Sequence, residues 1–410
     1  MKIVHLSYAD GGGGAAKAAY RIHRVIRQLG GDSHMLVSKK TTIDPFVLDG
    51  GSPAGRIWAQ TAAYLDLLPW RLVGARSNDY SSLSLVGTGA VKRASLLNPD
   101  IVHLHWINSG FLRLEELKRL KCPVVWRLAD MWPMVGAEHY VGECLRYEVG
   151  YSAANRPTLG GWLDLNKHTW NRKRRVYANI ANLTVVTPSK WLADCARRSV
   201  LFRGRRIEVI PTGQNLDVYR PISKEIARAI LNIPLTEKLI MTASMQLDDN
   251  RKGVDLLKTG LGMLKDRGYA IMLLGGSSGV PDLPMPVYTL GKLHDDLALS
   301  LAYSAADVFV APSREENLPN TVIEAMACGT PAIAFNIGGM PDLIKPMCTG
   351  YLAKAYDAEE LAHGIETILE NDGLRTEMAW AGRVLVESEH SEQLQARRYL
   401  TLYEDILNKS

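Results

Sequence analysis

Short apolar runs alternate along the whole chain with longer stretches whose apolar residues recur at helical spacing. In the first half the runs are KIVHLSY, DIVHLHW, PVVWRLA and LTVVTPS; in the second they are KLIMTAS, AIMLLGG, DVFVAPS and TPAIAF. Runs that stay apolar on successive positions, rather than alternating with polar ones, suit strands covered on both faces, and the intervening helices supply that cover. The pattern predicts an α/β protein with parallel, doubly wound sheets. A chain of 410 residues is too long for one ordinary core, so two domains of comparable size are expected. The segment IEVIPTGQNLDVYRP, with Pro211, Gly213 and Pro221, interrupts both periodicities and marks the boundary. Residues 1–212 then form an N-terminal domain and 213–388 a C-terminal one. In the remainder, 389–410, Leu394, Tyr399, Leu400 and Tyr403 give a final helix an apolar face with which to pack back on the N-terminal domain.

Composition narrows the class. With 47% hydrophobic and 22% charged residues the chain is globular, and disorder would need far fewer apolar residues. No stretch of bilayer length is apolar. The opening MKIVHLSYADGGGG has neither the apolar core nor the small-residue cleavage site of a signal peptide, which sets an expectation of a cytoplasmic protein. Cys122, Cys144, Cys195, Cys328 and Cys348 stand singly, without a CxxC pair, as in a reducing compartment. The net charge of +5 conceals an asymmetry: residues 1–212 carry 30 Lys+Arg against 16 Asp+Glu, and the rest 18 against 27. A basic first half suits an anionic surface or substrate, although a solvated surface of drifting composition gives the same count.

Three motifs carry chemistry. Gly11 to Gly14 lie between the first strand and the helical stretch AAKAAYRIHRVIRQLG. Glycines there let backbone approach a ligand, and the helix start offers N–H groups to an anion; a tight turn would need them equally. The spacing does not satisfy GxGxxG. Arg251–Lys252 precede GVDLL, a helix start, and so join full charges to a helix dipole, an arrangement suited to a diphosphate. The most specific segment is PSREENLPNTVIEAMACGTPAIAF, residues 312–335. A strand ends at Ser313, a polar loop carries Glu315 and Glu316, and a helix begins near Pro319 with Asn317 as its expected cap. Glu324 follows in the early turns, so both carboxylates can reach one ligand along the C-terminal edge of a sheet. Carboxylates accept hydrogen bonds from sugar hydroxyls, and the amides of Asn320 and Thr321 suit phosphate oxygens.

Glu316 and Glu324 followed by AMACGTP resemble the signature of the retaining family 4 (group 1) glycosyltransferases of GT-B architecture, built of two facing Rossmann-like domains. The likeness extends over essentially the whole chain through the glycine loop, HLHW at 103–106, DMWP at 130–133, TPSKW at 187–191, the interdomain segment, RKGVDLL, MLLGG and YSAADVFVAPS. With His139 and Tyr140 after DMWP, it is nearest to members that build bacterial exopolysaccharide. The resemblance implies that Lys252 sits on the donor diphosphate, Glu316 on the transferred sugar, Glu324 on the ribose and Leu293 near the base. Asp130 joins Lys252 and Glu316 as a candidate catalytic residue, and Gly13, Gly14, Arg251, Asn317, Leu318, Asn320 and Thr321 complete the implied donor site. It further implies a nucleotide-diphosphate-sugar donor, a saccharide or lipid-linked saccharide acceptor, and a cleft that closes on binding. The chain departs from the pattern at Ala129, where the family often has His, and at Gln246, where a basic residue commonly assists the lysine; Arg251 is the expected substitute.

No metal or other cofactor is expected. His103 and His105 share a strand face without nearby carboxylates, and Asp248–Asp249 and Asp295–Asp296 read as solvated loops. Neither a P-loop nor GxSxG occurs, and nothing points to nucleic acid. A nucleotide-sugar epimerase, or a catalytically idle nucleotide-sugar-binding protein, would share the scaffold. Finally, residues 56–74 mix Trp58, Tyr64, Leu65, Leu68 and Trp70 with Arg56 and Arg71, and 172–175 and 197–206 add cations. That combination suits peripheral docking on an anionic membrane, and equally a core-facing helix.

Overall fold

A computed structural model describes residues 1–73, 81–142, 144–156, 163–244, 249–276 and 282–409; Gln246 lies outside them. The chain divides into two units, Met1–Pro211 with Gln395–Ser410, and Thr212–Leu394, so it crosses between them twice.

The first unit holds a seven-stranded sheet: β1 (Lys2–Ala9), β2 (Asp32–Lys39), β3 (Val47–Leu48), β4 (Ile101–Leu104), β5 (Val124–Arg127), β6 (Leu183–Thr187) and β7 (Arg206–Val209). Their order is β3-β2-β1-β4-β5-β6-β7, and every pairing is parallel. Strands β4, β5 and β6 are buried at every position, which is why their sequences stay apolar without alternation. Val4, Leu6, Val102, Leu104 and Trp126 face one core layer. Ile3, Ile101 and Val125 face the other, which is closed by Ile22, Val25 and Ile26 of the helix Gly14–Gln28 and by Ala396, Tyr399 and Tyr403 of the helix Glu392–Asn408.

The second unit holds a six-stranded parallel sheet: β8 (Lys238–Ser244), β9 (Tyr269–Gly275), β10 (Val287–Gly291), β11 (Val308–Ala311), β12 (Ala332–Phe335) and β13 (Gly350–Ala353), in the order β10-β9-β8-β11-β12-β13. Three of its helices start on side-chain caps that answer orphan backbone N–H groups: Ser223 accepts from Ile226, Asp295 from Ala298 and Asn371 from Leu374. Asp295 is exposed, as expected, and also caps the helix that follows it. In each sheet the strand order reverses once, between β1 and β4 and between β8 and β11. In an open parallel sheet the crevice beyond the strand ends at such a reversal is where ligands are bound.

Candidate active site

In the second unit, the loop after β8 and the loop after β11 meet at the reversal point. Asn250–Lys252 form one 3-10 turn, Gly253 ends it with φ +63°, and the helix Val254–Met263 follows. A side chain at Gly253 would place its Cβ 1.9 Å from the carbonyl oxygen of Pro312, so only glycine lets the two loops press together here. The Lys252 ammonium consequently reaches the Glu316 carboxylate and forms an ion pair with it; the lysine side chain is 34% exposed and the glutamate 15%. Ser313 Oγ lies 3.4 Å from the same Glu316 oxygen. Gly338, with φ +51°, packs its Cα against the Glu316 carbonyl, where any Cβ would clash, and so fixes the backbone that presents the carboxylate. Residues far apart in sequence and expected on the same donor are thus in contact, at the place the topology favours.

The other predicted residues divide. Arg251 is close by, but its guanidinium lies on Asp249, with Nη2 2.7 Å and Nε 3.2 Å from the carboxylate oxygens. Asp249 also caps the 3-10 turn by accepting from the Arg251 amide, so it is a structural clasp and not the solvated loop residue expected from sequence. The helix of the acidic motif runs Asn320–Ala327 with Pro319 as N-cap, and Asn317 is not the cap; the helix starts too late for its side chain to occupy that position. Pro319, as N-cap, makes no side-chain cap bond. Asn317 and Leu318 are buried, Leu318 within the hydrophobic core, and Leu293 packs partly buried against that same core.

Glu324 is 7% exposed and already held: Gln214 Nε2 donates to Oε1 at 3.1 Å and Tyr303 Oη to Oε2 at 2.9 Å. Neither partner stood out in the sequence. Gln214 lies in a segment legible only as a linker, and Tyr303 in YSAADVF only as a helical apolar position.

In the first unit, Gly13 caps the helix Gly14–Gln28 without a side-chain bond, Gly12 takes φ +86°, and a Cβ on Gly12 or Gly13 would meet nothing within 4 Å. Asp10, just before, accepts four hydrogen bonds from the amides and hydroxyls of Thr41 and Thr42 at 2.7–2.9 Å. Burial raises its pKa, but these donors outweigh burial and leave it below the ordinary value. Beyond β4 and β5, HLHW and DMWP meet. Asp130 accepts from Trp106 Nε1 at 3.2 Å and from the Trp132 amide at 2.9 Å, and lies 2.6 Å from His139 Nδ1. His139 stacks on Trp106 and reaches Asn108 through Nε2 at 3.3 Å. Burial raises the Asp130 pKa, yet the adjacent His139 and the three donors bring it below the usual carboxylate value, so it is ionised.

His5 joins His103 and His105: all three are buried, His5 Nδ1 and His105 Nε2 are 2.9 Å apart, and Tyr403 Oη is 2.6 Å from His103 Nδ1. Sequence missed this grouping because His5 and His103 become neighbours only through the β1–β4 register. Their potential ligand atoms lie within 4.8 Å of one another; burial, and after it neighbouring basic groups that include Arg127, lowers the pKa values of His103 and His105.

The cation runs also change meaning. Arg172 is buried, bound to Glu115 and to the carbonyls of Leu83 and Ser84, and Lys173 is buried against the carbonyls of Trp132, Val135 and Gly136. Only Arg174 and Arg175 of that run are exposed, because a helix directs alternate pairs to opposite faces. On the helix Pro53–Leu72, Ile57, Trp58, Tyr64, Leu67 and Leu72 are exposed, whereas Leu65, Leu68 and Trp70 are partly covered. Among the described residues no helix is long and apolar enough to cross a membrane.

The family described as Glycosyltransferase Family 4 matches residues 12–218, just over half of the chain and the part that carries Gly12 to Gly14 and Asp130. The chain belongs to this family. A second family, Glycosyl transferases group 1, matches residues 286–384, which include Glu316 and Glu324. Among curated proteins the chain is similar to the D-inositol 3-phosphate glycosyltransferases of Mycolicibacterium smegmatis, 27% identical over 73% of this chain and 67% of that protein, and of Mycobacterium tuberculosis F11, 26% identical over 70% and 58%. The chain therefore spans about three fifths to two thirds of the length of these relatives. Among solved structures its fold is similar to sucrose-phosphate synthase from Thermosynechococcus elongatus, with TM-score 0.70 and 22% identity over the whole of both chains. It is also similar to Anabaena HepE in complex with UDP and glucose, with TM-score 0.67 and 16% identity over 98% of this chain and 99% of that one. Two parallel-sheet domains of the GT-B kind are thus the architecture.

Proposed function

We propose that the protein transfers a sugar, with retention of anomeric configuration, from a nucleotide-diphosphate-sugar to a saccharide acceptor. The observation that carries this reading is the Lys252–Glu316 ion pair across the reversal point of the second sheet. A nucleotide-sugar offers an anion and a set of hydroxyls in one molecule, and the pair offers a cation and an acceptor for them. On binding, the diphosphate takes the ammonium of Lys252, where negative charge grows as the bond to the sugar breaks, and the sugar hydroxyls donate to Glu316. The amides of Asn320 and Thr321 receive phosphate oxygens. Glu324 accepts from the ribose, Arg251 adds positive potential from its place on Asp249, and no metal is needed for the leaving group. The departing phosphate helps take the acceptor proton, so the chain needs no nucleophile of its own. Ionised Asp130, with His139, lies beyond the first sheet where an acceptor hydroxyl would be oriented.

The acceptor in this reading is a lipid-linked saccharide of exopolysaccharide synthesis, reached by peripheral docking through Ile57, Trp58, Tyr64, Leu67 and Leu72 flanked by Arg56 and Arg71. Thermal shift with UDP, GDP and ADP tests the donor site. One of them at a hundred times its dissociation constant should stabilise the protein by about 2.7 kcal/mol, and Lys252→Ala should lose most of that shift. No shift with any of the three would refute the donor site.

A further inference from the structure

Just after the chain's first crossing between units, the Gln214 side chain reaches the acidic motif. Gln214 is fully buried; its amide donates to the His390 carbonyl at 2.7 Å and its carbonyl accepts from the Glu392 amide at 3.0 Å. Gly213 allows this closeness, since a Cβ there would lie 2.6 Å from Glu392 Cα. The Gln214 side chain therefore has a fixed origin, and from it Nε2 reaches Oε1 of Glu324. On the far side of the same carboxylate stands Tyr303, fully buried in the helix Asp296–Ala305. Burial, with the nearby Glu324 and Tyr219, pushes the Tyr303 pKa well above 10, so its hydroxyl stays a donor.

A carboxylate on a helix ordinarily rotates about its terminal torsion, and that freedom is lost on binding. Two donors arriving at different oxygens from separate elements remove it beforehand. Both partners donate, so each carboxylate oxygen is held as an acceptor, which a pair of neighbouring hydroxyls requires. We propose that Gln214 and Tyr303 are positioning residues that lock the Glu324 carboxylate in the orientation that reads the ribose diol of the donor, making ribose specificity a property of the crossing segment as well as of the acidic motif. This rests on the donor reading of Glu324 above.

Binding of UDP, GDP and ADP, each against its 2′,3′-dideoxy form, tests it by calorimetry on the full chain and on Gln214→Met and Tyr303→Phe, which nearly keep side-chain volume and remove the amide group and the hydroxyl. The wild type should prefer the ribose form by about tenfold or more. Each variant should lose about five- to tenfold of that preference by weakening the ribose form alone, with turnover at saturating donor nearly unchanged. Unchanged affinity for the dideoxy form serves as the control that the variant is folded. Equal weakening of both forms, or full preference kept in both variants, would overturn the positioning role while leaving Glu324 on the ribose. A wild type indifferent to the diol would overturn the ribose reading itself, and the positioning role with it.

Discussion

Acid should destabilise the first unit well above the range in which carboxylates titrate, because His5, His23, His103 and His105 are buried without charge. Burial depresses each pKa below 6.5, and the proximity of other basic groups adds to this, His103 and His23 for His5, Arg127 for His103, and His103, His5 and Arg127 for His105. For His23 burial is partly opposed by Asp44, and the value falls to about 4. The elements packed against the cluster add Tyr399 and Tyr403 from the helix Glu392–Asn408, and these remain neutral. A histidine whose folded pKa lies below its unfolded one takes up protons on unfolding. Its contribution is therefore complete above pH 6.5 and declines as pH falls through 6.5 toward the folded value. At pH 5.5 each imidazole kept neutral costs about 1.4 kcal/mol, and four acting independently cost about 5 to 6 kcal/mol. A typical total stability of about 5–15 kcal/mol makes that a large loss. Urea unfolding at pH 7.5, 6.5 and 5.5, with hydrogen exchange followed in the helix Glu392–Asn408, should show the midpoint falling steeply below pH 6.5 and protection of that helix falling with it. His105→Asn should reduce the slope by about 1.4 kcal/mol per pH unit. Stability that is flat from pH 7.5 to 5.5, or a slope untouched by the substitution, would refute the reasoning.

Lys252→Ala should lower turnover at saturating donor about a hundredfold or more, since the charge it meets grows in the transition state, whereas Glu324→Ala should chiefly raise the donor KM; steady-state kinetics separate the two. Turnover should survive strong chelation, and activity abolished by chelator and restored by magnesium or manganese would contradict this. Sedimentation with anionic vesicles should recover the protein at low salt and lose it steeply as salt rises. Loss should follow charge removal at the exposed Arg174 and Arg175, not at Arg172, which is an internal ligand of Glu115.

The eight apolar runs all became strands, because strands covered on both faces announce themselves without any knowledge of their partners. The strands β2, β3, β7, β10 and β13 were not legible. β2 is mixed in burial, β3 is two residues long, β7 is half-covered throughout, and β10 and β13 are short strands at sheet edges. In the site, Lys252 and Glu316 could be read because each is flanked by turn or helix-start chemistry. Their contact depends on Gly253 and Gly338, whose need for positive φ is set by backbone from another loop. Gln214 and Tyr303 were hidden for the same reason: what they bind lies 110 and 21 residues away. Arg172 and Lys173 looked like surface charge because composition cannot say which face of a helix is inward.

The most direct test of the central claim is a proton and phosphorus NMR time course of a nucleotide-sugar with the protein, in the presence and absence of a lipid-linked saccharide acceptor. Free nucleoside diphosphate should appear together with a glycosylated acceptor whose new linkage keeps the donor's anomeric configuration. Water would replace the acceptor only slowly when none is supplied, and both products would form about a hundredfold more slowly, or slower still, with Lys252→Ala. A donor converted to its isomer without release of nucleotide, a product of inverted configuration, or a donor that binds and is never consumed would contradict it.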